Sequence, residues 1–244
     1  MKTNIGFSFF TAMLCAVLVS GCVMNRIDDE KRTILLRQSV DGVPITIAVQ
    51  KGDQWSVRKQ AGPLVFNVLS QMVIWAEDEN GGIIDTLYIT GADFKELRHG
   101  GKDRKGETFF RESFPVWASR MQQAGRKLPS KEKPYTDAVT SATPPASFTV
   151  QTRLKGAFRP FVLYAEVNKS GDTNEHYTDE TNGWVGQPSL VYRTEITEAD
   201  RSSRITMELA GHGGSLDDTP KIHQDMSGLD SALDQIHEIT ILVD

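Results

Sequence analysis

Much of this chain runs in stretches where apolar and polar residues alternate with a two-residue period, the pattern of strands that bury one face. In Phe161-Val162-Leu163-Tyr164-Ala165-Glu166-Val167 one face carries Phe161, Leu163, Ala165 and Val167 while Glu166 points the other way. That predicts a half-buried strand. Residues 205–209 and 239–243 read the same way, and further strands are predicted at 45–49, 55–58, 64–69, 72–76, 83–89, 148–154 and 190–196. The polar stretch Glu77-Asp78-Glu79-Asn80-Gly81-Gly82, with Asn-Gly at its centre, predicts a hairpin joining Val73-Ile74-Trp75 to Ile83-Ile84. One short helix is expected where Pro115 suits a first turn, Trp117 and Met121 share a face four residues apart, and Gly125 can end it. Strands at near-regular spacing with turn clusters between them predict an all-β sandwich, immunoglobulin-like in general architecture, with one or two short helices.

The N-terminal stretch breaks this pattern. Lys2 is the only charge before Arg26, and residues 5–19 form an apolar run. That is the charged-then-apolar order of an export signal. As a helix the run would reach about 22 Å, short of a hydrocarbon core of about 30 Å, so a signal peptide fits better than a membrane span. The alternative is an uncleaved signal anchor, because the uncharged stretch extends from Thr3 to Asn25.

Val19-Ser20-Gly21-Cys22 resembles the lipobox of bacterial lipoproteins, with Val19 in place of the more usual Leu. The resemblance implies cleavage between Gly21 and Cys22, a diacylglyceryl thioether on Cys22 and an acyl group, such as palmitate, on its amine. Two or three chains hold a protein on a bilayer where one anchors only marginally. The organisation expected is a signal peptide at 1–21, a lipidated tether at 22–31 and a β-rich periplasmic domain at 32–244. Val23 rather than Asp after Cys22 points to the outer membrane. The basic, proline-bearing stretch around 126–136 is the candidate internal boundary.

Cysteine use agrees with this address. Cys15 leaves with the signal and Cys22 takes the lipid, so the mature chain has no thiol for a nucleophile, a thiolate metal site or a disulfide. The full chain of 244 residues carries a formal net charge of −5 with both signs dispersed, which argues against nucleic acid as a partner. At 8% aromatic and 24% charged it has the composition of ordinary globular protein.

Three segments in order, Val73 to Gly81, Asp137 to Pro144 and Gly186-Gln187-Pro188-Ser189-Leu190-Val191-Tyr192, resemble a family of predicted periplasmic bacterial proteins called domain of unknown function twenty-two seventy-one. The resemblance covers roughly residues 64–243 and includes Glu166-Val167-Asn168. It implies periplasmic location and a β-rich fold, without an established activity.

Candidate chemistry is sparse. Asp137-Ala138-Val139-Thr140-Ser141-Ala142-Thr143 is similar to the motif at which exported proteins receive flavin mononucleotide (FMN), although that pattern prefers Gly where Ser141 stands. In that reading Thr143 carries a covalent FMN and Asp137 guides the transferase; the plainer reading is a polar loop. From Asn168 to Asn182 oxygen-bearing side chains crowd together, with Asn168, Ser170, Asp172, Asn174 and Asp179 as candidate calcium ligands. Thr173 stands where an EF-hand needs Gly, so a solvated loop is again the plainer reading. The acidic set Asp217, Asp218, Asp225, Asp230 and Asp234 is equally ambiguous. His212 lies in Gly211-His212-Gly213-Gly214, but the histidines have no close metal-binding spacing and no Gly-x-Ser-x-Gly is present. The sequence thus leans away from an enzyme. It favours a membrane-anchored, non-catalytic binding or accessory module whose exposed loops, particularly 168–187, meet another envelope protein or a small ligand. A covalent flavin carrier and a calcium-stabilised surface domain are the alternatives.

Membrane fractionation checks the anchor directly. The native chain is expected in the membrane pool and Cys22→Ala in the soluble pool; an unchanged membrane pool contradicts lipidation.

Overall fold

The structure, a computed structural model, describes residues 32–90, 97–99, 102–104, 107–129, 135, 138–140, 143–216 and 218–244. Two sheets pack face to face. The first contains, in spatial order, β1 (Arg32–Leu35), β10 (Phe148–Lys155), β2 (Gly42–Lys51), β15 (Ile236–Val243) and β13 (Arg204–Thr206). The second contains β14 (Glu208–His212), β12 (Leu190–Ile196), β11 (Phe161–Asn168), β5 (Gln71–Glu77), β6 (Ile83–Thr90) and β9 (Val139–Thr140). Two hairpins stand outside both sheets: β3 (Ser56–Ala61) with β4 (Leu64–Leu69), and β7 (Leu97–His99) with β8 (Lys102–Arg104). Pairing is antiparallel except for β1 with β10 and β6 with β9. The predicted all-β sandwich with short helices is the fold observed. Both sheets draw strands from either side of residues 126–136, so the core has no division there.

The first sheet shows the alternation that its sequence announces. Along β2, Val43, Ile45, Ile47 and Val49 are buried and the residues between them are partly exposed. Ile47 pairs with Val150 on one side and Ile241 on the other, both buried, so three strands present one apolar face. Each such side chain stabilises the fold by about 1.5–3 kcal/mol relative to exposure. The opposing face comes from Met72, Ile74 and Ala76 of β5 and Leu163, Ala165 and Val167 of β11.

The second sheet is covered on its outer face as well over much of β5, β6 and the Glu166 end of β11. Val73, Trp75, Ile89 and Val191 point away from the first sheet into a second apolar cluster made with two helices, α1 (Glu107–Ser113) and α2 (Pro115–Gln123). This explains why Met72-Val73-Ile74-Trp75-Ala76 is an unbroken apolar run. A strand covered on both sides has no solvent face to mark with polar residues. In β11 the expected alternation holds over Phe161–Ala165, while Glu166 on the second face lies buried under α2.

Local signals hold in most places. The hairpin between β5 and β6 closes with the Asp78 amide donating to Gly82 O at 2.8 Å, while Asp78 Oδ1 accepts from the amides of Asn80 and Gly82. Helix α2 begins at Pro115 and ends where Gly125 takes φ 65°, a left-handed value that glycine adopts without a Cβ clash. There the amides of Gly125 and Arg126 donate to the carbonyls of Gln122 and Met121. The run 205–209, predicted as one strand, is two. β13 pairs with β15 in the first sheet and β14 pairs with β12 in the second, with buried Met207 at the crossing. Among the described residues, no helix is long and apolar enough to cross a membrane.

Candidate functional site

Strand alternation puts Glu166 on the helix-facing side of β11, where α2 lies over it. The residue is completely buried. Its Oε2 accepts from the Trp117 amide at 2.9 Å, and its Oε1 accepts from the Val116 amide at 3.2 Å and from Ser189 Oγ at 2.7 Å. These amides belong to the first turn of α2. The residue before that helix, Phe114, has no side-chain oxygen to cap it, and Pro115 has no N–H. A carboxylate from the neighbouring sheet therefore supplies the missing acceptor, at the helix end that favours negative charge. Burial is the largest influence on its acidity and raises its pKa from about 4.5 to about 7, against the three hydrogen bonds, which lower it.

Trp117 fixes the same helix at a second point. Its indole N–H donates to Thr86 Oγ1 on β6 at 3.0 Å, and its ring meets Phe110 and Phe114 edge-on. Gly213 closes the other side of Glu166. A Cβ there would lie 2.4 Å from Ser189 Oγ and 3.0 Å from Glu166 Oε1, so only glycine allows this approach. Beside it, His212 Nδ1 accepts from the Gly214 amide at 3.1 Å, and Nε2 lies 2.9 Å from the Asp225 carbonyl. That pairing places the ring proton on Nε2 and leaves the ring neutral. Burial holds its pKa below the ordinary histidine value, and the ring stacks on His223 at 5.2 Å.

In front of this buried group lies an open cleft of about 750 Å³ between the helices and the loop that follows β14. Pro115, Ser119 and Gln122 of α2 form one wall, and Gly214, Ser215 and Leu216 form the other. Pro115 and Gly214 are the chain neighbours of Val116 and Gly213, so the groups that Glu166 touches stand directly behind the cleft walls. Val185 reaches the cleft from the 168–187 loop, and the adjacent Trp184 indole donates to the Glu112 carboxylate on α1. A smaller depression of about 380 Å³ opens beside Tyr164. There buried Glu77 accepts from the Trp75 indole at 2.8 Å and pairs with Arg120 at 3.2 Å. Burial raises its pKa, against the Trp75 hydrogen bond and Arg120, which lower it.

Of the candidate calcium ligands, Asp172 and Asn174 are engaged by the protein itself. Asp172 Oδ1 accepts from Ser231 Oγ at 2.8 Å, and Oδ2 makes an ion pair at 3.4 Å with Lys169, its only partner among the described residues. Lys169 is fully buried and also donates to Gln54 O at 2.9 Å, so an ammonium occupies the interior side of this loop. Asn174 Oδ1 caps the amides of His176 and Tyr177, and Asn168 Nδ2 donates to Gln187 O. The oxygens of Asn168 Oδ1 and Ser170 Oγ are buried without a described partner, and Asp179 is exposed on the outer turn. Among the described residues no three His, Cys, Asp or Glu side chains are grouped to hold a metal ion. Asp218, Asp225 and Asp230 instead accept from the amides of Ser215, Ser227 and Ser231.

Thr143 is 9% exposed and precedes Pro144, whose carbonyl is bound by the Trp55 indole at 2.8 Å. A transferase would reach its hydroxyl only if this segment opened. Cys22, Gly21, Asp137 and Asp217 lie outside the described residues. Sequence reading missed Glu166, Ser189, Gly213 and Lys169 as a set. Its one available signal was a charged residue inside an otherwise apolar strand.

No family model, curated protein or solved structure matches the chain. Fold and site together define a two-sheet β-sandwich carrying a helical layer, with a buried glutamate between sheet and helix and an open cleft beside it.

Because the folded state raises the Glu166 pKa, it binds that proton more tightly than the unfolded chain. The stability this group contributes is complete below about pH 4.5 and is lost as pH rises through about 7. The loss is on the order of 3 kcal/mol. Urea unfolding across this range is expected to show a shallower fall for Glu166→Gln than for the native chain. Parallel profiles contradict the assignment.

Proposed function

We propose that this chain is a lipid-anchored, periplasm-facing lipoprotein, held on the outer membrane through Cys22, that works as a non-catalytic binding or accessory module of the cell envelope. The observation that carries the binding reading is the open cleft of about 750 Å³ between α2 and the loop after β14. Small-molecule sites have volumes of about 300–1,000 Å³ and are usually preformed. This cleft is walled by a helix tied to the sheet at Glu166 and Thr86, so its shape is set before any partner arrives. Val185 brings the 168–187 loop to it, the segment whose exposure in the sequence suggested contact with a ligand or envelope protein.

The leader, the lipobox and the resemblance of residues 64–243 to domain of unknown function twenty-two seventy-one support the address. The chemistry at Glu166 supports binding over catalysis. Both of its oxygens are engaged by Ser189 and by α2, and it is buried behind the cleft wall instead of facing it. A general acid or base must reach the proton it transfers. The burial of Thr143 and the ammonium of Lys169 beside Asp172 likewise favour this reading over a flavin carrier or a calcium-stabilised domain.

Photo-cross-linking in the native host tests the cleft. With p-benzoylphenylalanine at Ser119 on the cleft wall, a reproducible envelope component or ligand is expected to be captured. The same probe at Arg204, exposed on the other sheet, is expected to capture none of it. No adduct at Ser119, or the same adduct from both positions, overturns the proposal.

A further inference from the structure

The β3–β4 hairpin is the part of the molecule whose surface the fold does not explain. It is a two-stranded sheet joined to neither large sheet, and isolated hairpins are marginal in water. Its outer strand nevertheless exposes Leu64 at 69%, Val65 at 48% and Phe66 at 48%, consecutive and at the tip. The register pairs Phe66 with Lys59 and Val68 with Val57, which places Leu64, Phe66 and Val68 on one face and Val65 on the other. Apolar side chains of β4 thus stand on both faces near the tip, with Lys59 and Gln60 opposite them on β3, as on an element whose edge enters a less polar phase.

The base, by contrast, is fixed. Trp55 at its root is 1% exposed, its indole donates to Pro144 O, and its carbonyl accepts from the Ser70 amide at 2.8 Å. Lys59 Nζ donates to Gly171 O at 2.9 Å and braces the flank. The hairpin is therefore fixed at its root and braced along one flank.

The root of the hairpin lies at the end of the first sheet where β1 begins. Arg32, where β1 begins, pairs with Phe148, and Phe148 pairs with Val49 on β2. Two residues later, at Lys51, β2 ends and the chain turns through Gly52 and Trp55 into β3. The segment leading back to Cys22 and the apolar hairpin therefore leave from the same end of the first sheet. Residues 22–31 span at most about 35 Å when fully extended. A lipid on Cys22 would tether the domain to the bilayer from this end of the sandwich. Arg58 is exposed on the same hairpin, a side chain whose stem can lie along apolar surface while its head reaches phosphate.

We propose that the tip of the β3–β4 hairpin, Leu64-Val65-Phe66, inserts into the phospholipid bilayer that carries the Cys22 lipid, as a second contact that sets the orientation of the domain on the membrane. This rests on the lipid-anchor reading above. It turns the cleft-bearing helical layer into a surface presented at a defined height over the membrane.

The mature chain has no cysteine other than Cys22, so an environment-sensitive fluorophore can be placed on Phe66→Cys, or on Asn80→Cys in the β5–β6 turn at the other end of the sandwich. The lipidated variants are reconstituted into vesicles of phosphatidylethanolamine and phosphatidylglycerol. At position 66 a blue shift and quenching by nitroxide-labelled lipid are expected, and at position 80 neither. Moving the label to Val65→Cys in a Leu64→Asn, Phe66→Asn background is expected to remove the shift, which separates insertion by the chain from insertion by the probe. Protein that floats with the vesicles while position 66 stays water-like overturns the hairpin contact alone. Protein that does not float overturns the anchor and the contact with it. A shift at position 66 in a Cys22→Ala chain without vesicles, growing with protein concentration, overturns the bilayer as occupant in favour of a second copy.

Discussion

The helical layer of this protein depends on one buried carboxyl group. Glu166 rises from the middle of the second sheet and meets the first-turn amides of α2 together with the Ser189 hydroxyl. A buried carboxyl group is costly unless it is hydrogen-bonded, and a helix end without acceptors is costly for the same reason. Here each deficit satisfies the other. The result fixes where α2 starts and how closely it lies on the sheet. Trp117 then fixes its rotation through Thr86, and Gly213 lets the loop after β14 close over the carboxylate.

From that constraint the rest of the architecture follows in layers. The first sheet and the inner face of the second share one apolar core, and the outer face of the second sheet shares another with the helices. The cleft opens between the helices and the β14 loop, which approach each other around Glu166 at its base. At the end of the sandwich where β1 begins, the β3–β4 hairpin exposes three consecutive apolar side chains, Leu64, Val65 and Phe66. In the proposed reading, anchoring, orientation and binding would fall to different parts of one continuous structure.

Much of this was legible in the sequence wherever a strand has one wet face. β2, β10 and β15 announce themselves by alternation, the Asp78–Gly82 turn by its residues, and α2 by Pro115, Trp117, Met121 and Gly125. Legibility fails where burial is decided by elements distant in sequence. Glu166 reads as an outward-facing residue because a period of two says which way it points and not what lies there. The 205–209 run reads as one strand because a uniform alternation carries no mark of a change of sheet. Lys169 is invisible for a similar reason: its partners, Gln54 and Asp172, are supplied by a distant turn and by the next bend of the loop. The candidate ligands at 168–179 were recognisable as oxygen-rich, but their engagement by backbone amides, Ser231 and Lys169 is a property of the folded loop.

Amide hydrogen exchange in the native chain and in Glu166→Ala tests the central claim most directly. If the carboxyl holds the helical layer to the sheet, Val116, Trp117 and the amides that follow them in α2 lose protection in the variant, while the core strand amides around Ile47 and Ile241 keep theirs. Unchanged protection along α2, or a uniform loss across the whole molecule, would contradict the account.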